Sequence, residues 1–139
     1  AAGDILKEQK KNTTDDKKKI ENLHKMVRLA YTLKEELLHN NIDAMGDILH
    51  QGWMYKKELA GGISNELINR YYDLAMQNGA SGGKLLGAGG GGFLLFYVKE
   101  ENHERVRHAL RDLKELKFKF DNKGTTIIHY NKHSLRGEF

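Results

Sequence analysis

The chain has 139 residues, enough for one domain, with 30% charged and 39% hydrophobic residues and a net charge of only +4. It has no cysteine, which excludes disulfides and thiolate metal sites and suits a reducing, cytoplasmic setting; its longest apolar run, Phe93–Val98, is far too short to span a bilayer. The lysines are spread over helical stretches as on a solvated surface, so neither nucleic acid nor membrane is an expected partner.

The first residues, AAGDILKEQKKN, read as the middle of a connecting helix cut from a longer chain. TTDDKKKIENLHKMVRLAYTLKEELLHNN opens with a Thr/Asp cap. Leu23, Met26, Val27, Ala30, Leu33 and Leu37 then recur at helical spacing and predict a helix buried along that stripe. IDAMGDILHQGWMYKKEL predicts a second helix, capped by Asp43. Ser64 is placed to cap a third, NELINRYYDLAMQN, with Ile68, Tyr71, Tyr72 and Ala75 on or near its buried side and Gly79 as its stop. A short strand is expected at residues 84–86, followed by a glycine turn and by FLLFYV, a strand apolar on both faces. NHERVRHALRDLKEL predicts a helix that buries Val106, Ala109, Leu110 and Leu113. KFKFD alternates with period two, which puts Phe118 and Phe120 on one face. NKG then turns the chain, and TTIIHY returns as a partner strand. There is no proline, so glycine turns and helix caps must supply all the punctuation. This order predicts an α+β fold over residues 1–139, an antiparallel sheet with helices packed on one face.

The stretch GASGGKLLGAGGGGFLLFYV, residues 79–98, holds eight of the fifteen glycines within its first fourteen positions. Inside a helix or strand each glycine costs roughly 0.5–1 kcal/mol relative to alanine, so the cluster needs a local reason. Either the backbone turns left-handed or something approaches it closely. A Walker A loop fails, because Leu85 stands where Ser or Thr should follow Gly83-Lys84, and Asn78 stands where the first glycine should be. Gly87, Gly89 and Gly92 spell G-x-G-x-x-G, but a strand follows where a dinucleotide site needs a helix N-terminus. A protein-kinase glycine loop does lie between strands, yet no H-R-D or D-F-G triplet occurs. A glycine hairpin that lets the strands approach a helix is the purely structural alternative.

This stretch closely resembles the third motif of the GHMP sugar kinases. The longer segment ISNELINRYYDLAMQNGASGGKLLGAGGGGF, following GWMYKKEL, resembles the D-glycero-D-manno-heptose 7-phosphate kinase branch of that family, with fucokinases the nearest confusion. The resemblance covers nearly the whole chain; Trp53-x-x-Lys56-Lys57 and Ser64-Asn65 favour the heptose branch. It implies the C-terminal, ferredoxin-like domain of a kinase that uses ATP and Mg2+. It also implies a preceding N-terminal kinase domain as partner, carrying the phosphate loop, the Mg2+ ligands and the catalytic acid. The P-x-x-x-G-L-G-S-S motif of that domain is absent from these 139 residues. No catalytic residue and no metal ligand is therefore assigned here, and the chain alone is expected to be inactive.

The same resemblance implies a pocket for a small-molecule sugar phosphate, walled by Gly82, Gly83, Lys84, Gly87, Ala88, Gly89, Gly90, Gly91 and Gly92. Backbone N–H groups without side chains suit phosphoryl transfer, which is mostly positioning and electrostatic stabilisation. Lys84 would add a positive charge or else point into solvent. Lys56 and Lys57 would meet the sugar phosphate or else lie on an exposed helix face. Trp53 reads as core before it reads as a sugar-stacking platform. The seven histidines form no constellation; His129 and His133 fall on a strand and its tail, where a spacing of four does not converge on a metal. Other readings are a fucokinase or galactokinase-like kinase of a free sugar and a stand-alone ferredoxin-like regulatory module holding a small ligand in its glycine loop. GGFLLFYV also resembles an RNA-binding strand, but Gly91 stands where that pattern wants a basic residue.

Overall fold

A computed structural model describes residues 2–87, 90–121, 123, 124 and 126. Ala88, Gly89, His129, His133 and, apart from Thr126, the expected TTIIHY strand lie outside them. The described chain runs through helices α1 (Ala2–Asp15), α2 (Lys17–Leu38), α3 (Ala44–Lys57) and α4 (Glu66–Gln77). Strands β1 (Ala80–Leu86) and β2 (Phe93–Val98) follow, then a short 3-10 turn (Glu100–Asn102) and helix α5 (His103–Ala109). The fold is α+β, as the element order predicts, and β1 and β2 form an antiparallel pair.

Local chemistry sets most boundaries. Asp16 separates α1 from α2: its backbone is extended, and its carboxylate accepts the amides of Lys18 and Lys19 at 3.0 and 3.3 Å. Asn65, one residue beyond the expected Ser64, caps α4 by accepting the Ile68 amide at 2.9 Å. The Ser64 hydroxyl is spent instead on the Asn69 side chain, 2.9 Å away. Gly79 stops α4 as expected, at φ +106°. Asp43 stands at the start of α3 but makes no capping bond. Its carboxylate accepts the Tyr97 hydroxyl at 2.9 Å and pairs with Lys99 at 2.9 Å, tying α3 to the end of β2.

The core forms where α3, the loop after it, α4 and β1 converge. Trp53, Leu59, Ile63, Ile68, Tyr72 and Leu85 are buried together, and Ala75, Ala80 and Val106 make a smaller cluster under α5. Trp53 is 1% exposed. An indole of its size removes enough apolar area to contribute about 4–6 kcal/mol, an upper value because the unfolded chain is not fully extended.

Four further expectations change in the structure. The buried stripe of α2 is rotated: Asn22 is buried and Leu29 and Leu33 are half-buried, while Leu23, Val27 and Leu37 are exposed. Contacts with α3 decide this. Leu29 meets Gly52, and Asn22 donates to the Glu58 carboxylate at 3.0 Å. Strand β1 starts at Ala80, not at residue 84, because Gly82 and Gly83 pair with Tyr97 and Phe96 in place of forming a loop. Helix α5 ends at Ala109, short of the predicted residue 116; Leu113 is exposed, so no apolar contact holds further turns. KFKFD lies in no strand among the described residues. Phe118 and Phe120 are 62% and 83% exposed and meet only edge to face, so no packed surface holds the segment in a sheet.

Candidate functional site

The glycine-rich stretch divides into two parts with different jobs. In β1, Gly82 and Gly83 are buried. Gly82 lies against the backbone of Gly46 and His50 in α3, and Gly83 lies against Leu95 and the Phe96 ring. These glycines allow close approach of protein to protein. Beyond β1, Gly87, Gly90 and Gly92 take φ of +137°, +71° and +128°, and Gly91 has open space where a side chain would stand. This turn leans on the α3–α4 connection: the Gly90 amide donates to the Ile63 carbonyl at 3.4 Å, and the Asn65 side chain donates to the Gly90 carbonyl at 3.5 Å. Ala88 and Gly89 of the expected pocket wall lie outside the described residues.

The expected flanking residues separate in the same way. Trp53 is enclosed, so its ring presents no platform to a sugar. The Lys57 ammonium sits 5.8 Å from the Trp53 ring centroid, a cation–π distance, which engages that lysine with the core edge. Lys56 on the last turn of α3 and Lys84 on β1 are each half-buried. Burial, and then the charge of neighbouring Lys84, hold Lys56 below the ordinary lysine range.

Two residues that the sequence reading gave no role hold the base of the loop. The Tyr72 hydroxyl donates to the Gly83 carbonyl at 3.4 Å and shares a hydrogen bond with His50 Nδ1 at 2.8 Å, and the Tyr72 and His50 rings stack 5.9 Å apart. Burial pushes the Tyr72 phenol up to about 12, so it stays a neutral donor at physiological pH. Its helical spacing already marked Tyr72 for the core; His50, three residues before Trp53, carried no signal until the helices were packed.

Among the described residues no group of three or more histidine or acidic side chains converges as a metal site, and no helix is long and apolar enough to cross a membrane. A shallow apolar groove of about 430 Å³ lies on α2, lined by Ala30, Leu33, Lys34, Leu37 and Leu38, away from the glycine turn.

Residues 33–115 match the family model described as GHMP kinases C terminal. The chain is 36% identical over 106 residues to a D-glycero-alpha-D-manno-heptose 7-phosphate kinase of Campylobacter jejuni subsp. jejuni serotype O:2, a match that covers 76% of this chain and 31% of that protein. It is 34% identical over 104 residues to a bifunctional fucokinase/GDP-fucose pyrophosphorylase of Arabidopsis thaliana, covering 74% of this chain and 10% of the relative. The matched region thus spans about a third of the first relative's length and a tenth of the second's.

Proposed function

We propose, from the premise that this chain belongs to the family of GHMP kinase C-terminal domains, that it forms the substrate-pocket half of an ATP-dependent sugar kinase acting on D-glycero-D-manno-heptose 7-phosphate. The observation that carries the reading is the K-L-L-G-A-G-G-G-G turn. It has left-handed glycines at Gly87, Gly90 and Gly92, is anchored on Ile63 and Asn65, and stands in a chain 36% identical to a kinase of that name.

In this reading the turn glycines Gly87, Gly90, Gly91 and Gly92 present backbone without side chains to the substrate, and Lys84 and Lys56 supply positive charge beside them. Gly82, Gly83 and Tyr72 hold the strand that leads into the turn. The chain contributes binding and orientation, which make up most of what phosphoryl transfer requires of a protein. When bound, ATP would supply the transferred phosphate and Mg2+ would offset its charge. In this reading the ligands of that ion come from a preceding kinase domain, and the 139 residues alone should transfer no phosphate.

The test gives the chain, completed with its N-terminal domain, heptose 7-phosphate, fucose and galactose side by side with ATP and Mg2+. Preference for the heptose phosphate supports the reading. Preference for free fucose moves the protein to the branch of its fucokinase relative, which the 34% identity keeps as the second reading. No turnover of any sugar rejects the kinase assignment.

A further inference from the structure

We infer that Lys56, in the last turn of α3, and Lys84, on the strand β1 that α3 packs along, each half-buried, form a subsite for a phosphomonoester dianion. On the kinase reading above, this is the phosphate that the sugar already carries. Lys84 shares with Gly82 the side of β1 that faces α3, because alternate residues of a strand point the same way and Gly82 touches Gly46 there. Lys56 closes the last turn of that same α3. Neither ammonium group has an ion pair or hydrogen bond to any described residue. Lys25 pairs with Glu21, Lys99 pairs with Asp43, and Lys57 rests over Trp53. Two cations brought together and partly removed from water cost stability unless an anion joins them.

The position suits such an anion. Lys84 stands three residues before Gly87, at the mouth of the turn, and Gly91 leaves space open on that turn. Burial, and then the charge of Lys84, lower the proton affinity of Lys56, and a dianion would reverse the second of these effects. Two ammonium groups suit the double charge of a phosphomonoester better than the single charge of a carboxylate. They grip as point charges, without the planar fork that an arginine would impose.

The proposal is tested by titrating the 139-residue chain with inorganic phosphate, mannose 6-phosphate, mannose and ATP while following the lysine ε-methylene NMR signals. Inorganic phosphate and mannose 6-phosphate should shift Lys56 and Lys84, and mannose should not. K56M and K84M should each weaken phosphate binding at least tenfold, the size of a lost charge-assisted hydrogen bond, and K57M less than twofold. Circular dichroism shows that each variant is folded. Unmoved Lys56 and Lys84 signals, or equal losses in K57M, overturn the subsite; tighter binding of ATP than of mannose 6-phosphate at these lysines overturns its assignment to the sugar. The kinase reading is judged separately, by turnover in the completed enzyme. A kinase whose KM for heptose 7-phosphate is the same in K56M and K84M loses the subsite and keeps the activity.

Discussion

Gly46 of α3 and Gly82 of β1 meet backbone to backbone, and a Cβ on Gly82 would fall 2.6 Å from the Gly46 carbonyl carbon and 3.1 Å from the His50 nitrogen. Both neighbours are main chain inside a helix, so they cannot turn aside. Gly82→Ala should therefore push α3 from β1 and cost about 3 kcal/mol, the upper part of the range for overpacking. Gly91→Ala meets nothing within 4 Å and should stay within about 0.5 kcal/mol of the parent. Urea unfolding of the two variants decides this; equal midpoints would mean that Gly82 is not a packing residue.

Within the turn, strain and space make different demands. Gly90 has φ +71° with its nearest neighbours 3.7 Å away, so Gly90→Ala should cost only the left-handed penalty of about 1–2 kcal/mol. Gly92 combines φ +128° with a Cβ position blocked by the Leu86 carbonyl, and Gly92→Ala should cost more than Gly90→Ala. On the proposed kinase reading, Gly90→Val in the chain completed with its N-terminal domain should lower activity further than its loss of stability explains. A thermal melt beside an activity assay separates the two effects.

Tyr72→Phe removes the hydroxyl that joins the half-buried His50 Nδ1 to the buried Gly83 carbonyl. The expected loss is about 1–2 kcal/mol in chemical unfolding. The phenol also sets an alkaline limit. Its folded-state pKa of about 12 lies above the ordinary 10, so the folded chain keeps a proton that the unfolded chain releases. This contribution is complete below pH 10 and is lost as pH rises toward 12. Stability measured across that window should fall more steeply in the parent than in Tyr72→Phe.

Lys56→Met keeps the aliphatic packing and removes the charge. The folded-state pKa of Lys56 is depressed, first by burial and then by Lys84, so at neutral pH the charged lysine opposes folding. The unfolded chain holds more protons once pH passes the folded value, and the penalty fades as pH approaches 10.5. The variant should melt at or above the parent temperature at pH 7, with the difference shrinking as pH rises. A lower melting temperature at pH 7 would reveal a hidden counter-charge.

Much of this protein was legible one residue at a time. Helical spacing marked Ile68, Tyr72 and Ala75 for the core of α4, where all three are buried, and Gly79 for its end. The unbroken apolar run 93–98 marked β2 with its observed ends. The density of glycines marked the turn, because three of them sit where side chains pay a local penalty that needs no distant partner. Such features depend on neighbours in the chain, so composition and spacing determine them.

Tertiary structure decided whatever depends on a partner distant in sequence. Leu23 and Val27 have the right spacing to be buried, yet Asn22 takes the inner position on α2 because the Glu58 carboxylate waits there, 36 residues on. Asp43 looks like a cap and becomes an anchor because Tyr97 and Lys99 arrive from β2. Gly82 and Gly83 read as loop and fold as strand because α3 and Phe96 need the room that a Cβ would fill. Lys56 and Lys57 are adjacent in sequence and alike in chemistry. One rests over Trp53 and the other is held below the ordinary lysine range by burial and the charge of Lys84, because successive residues of a helix point about 100° apart and only the packed fold sets what lies in each direction.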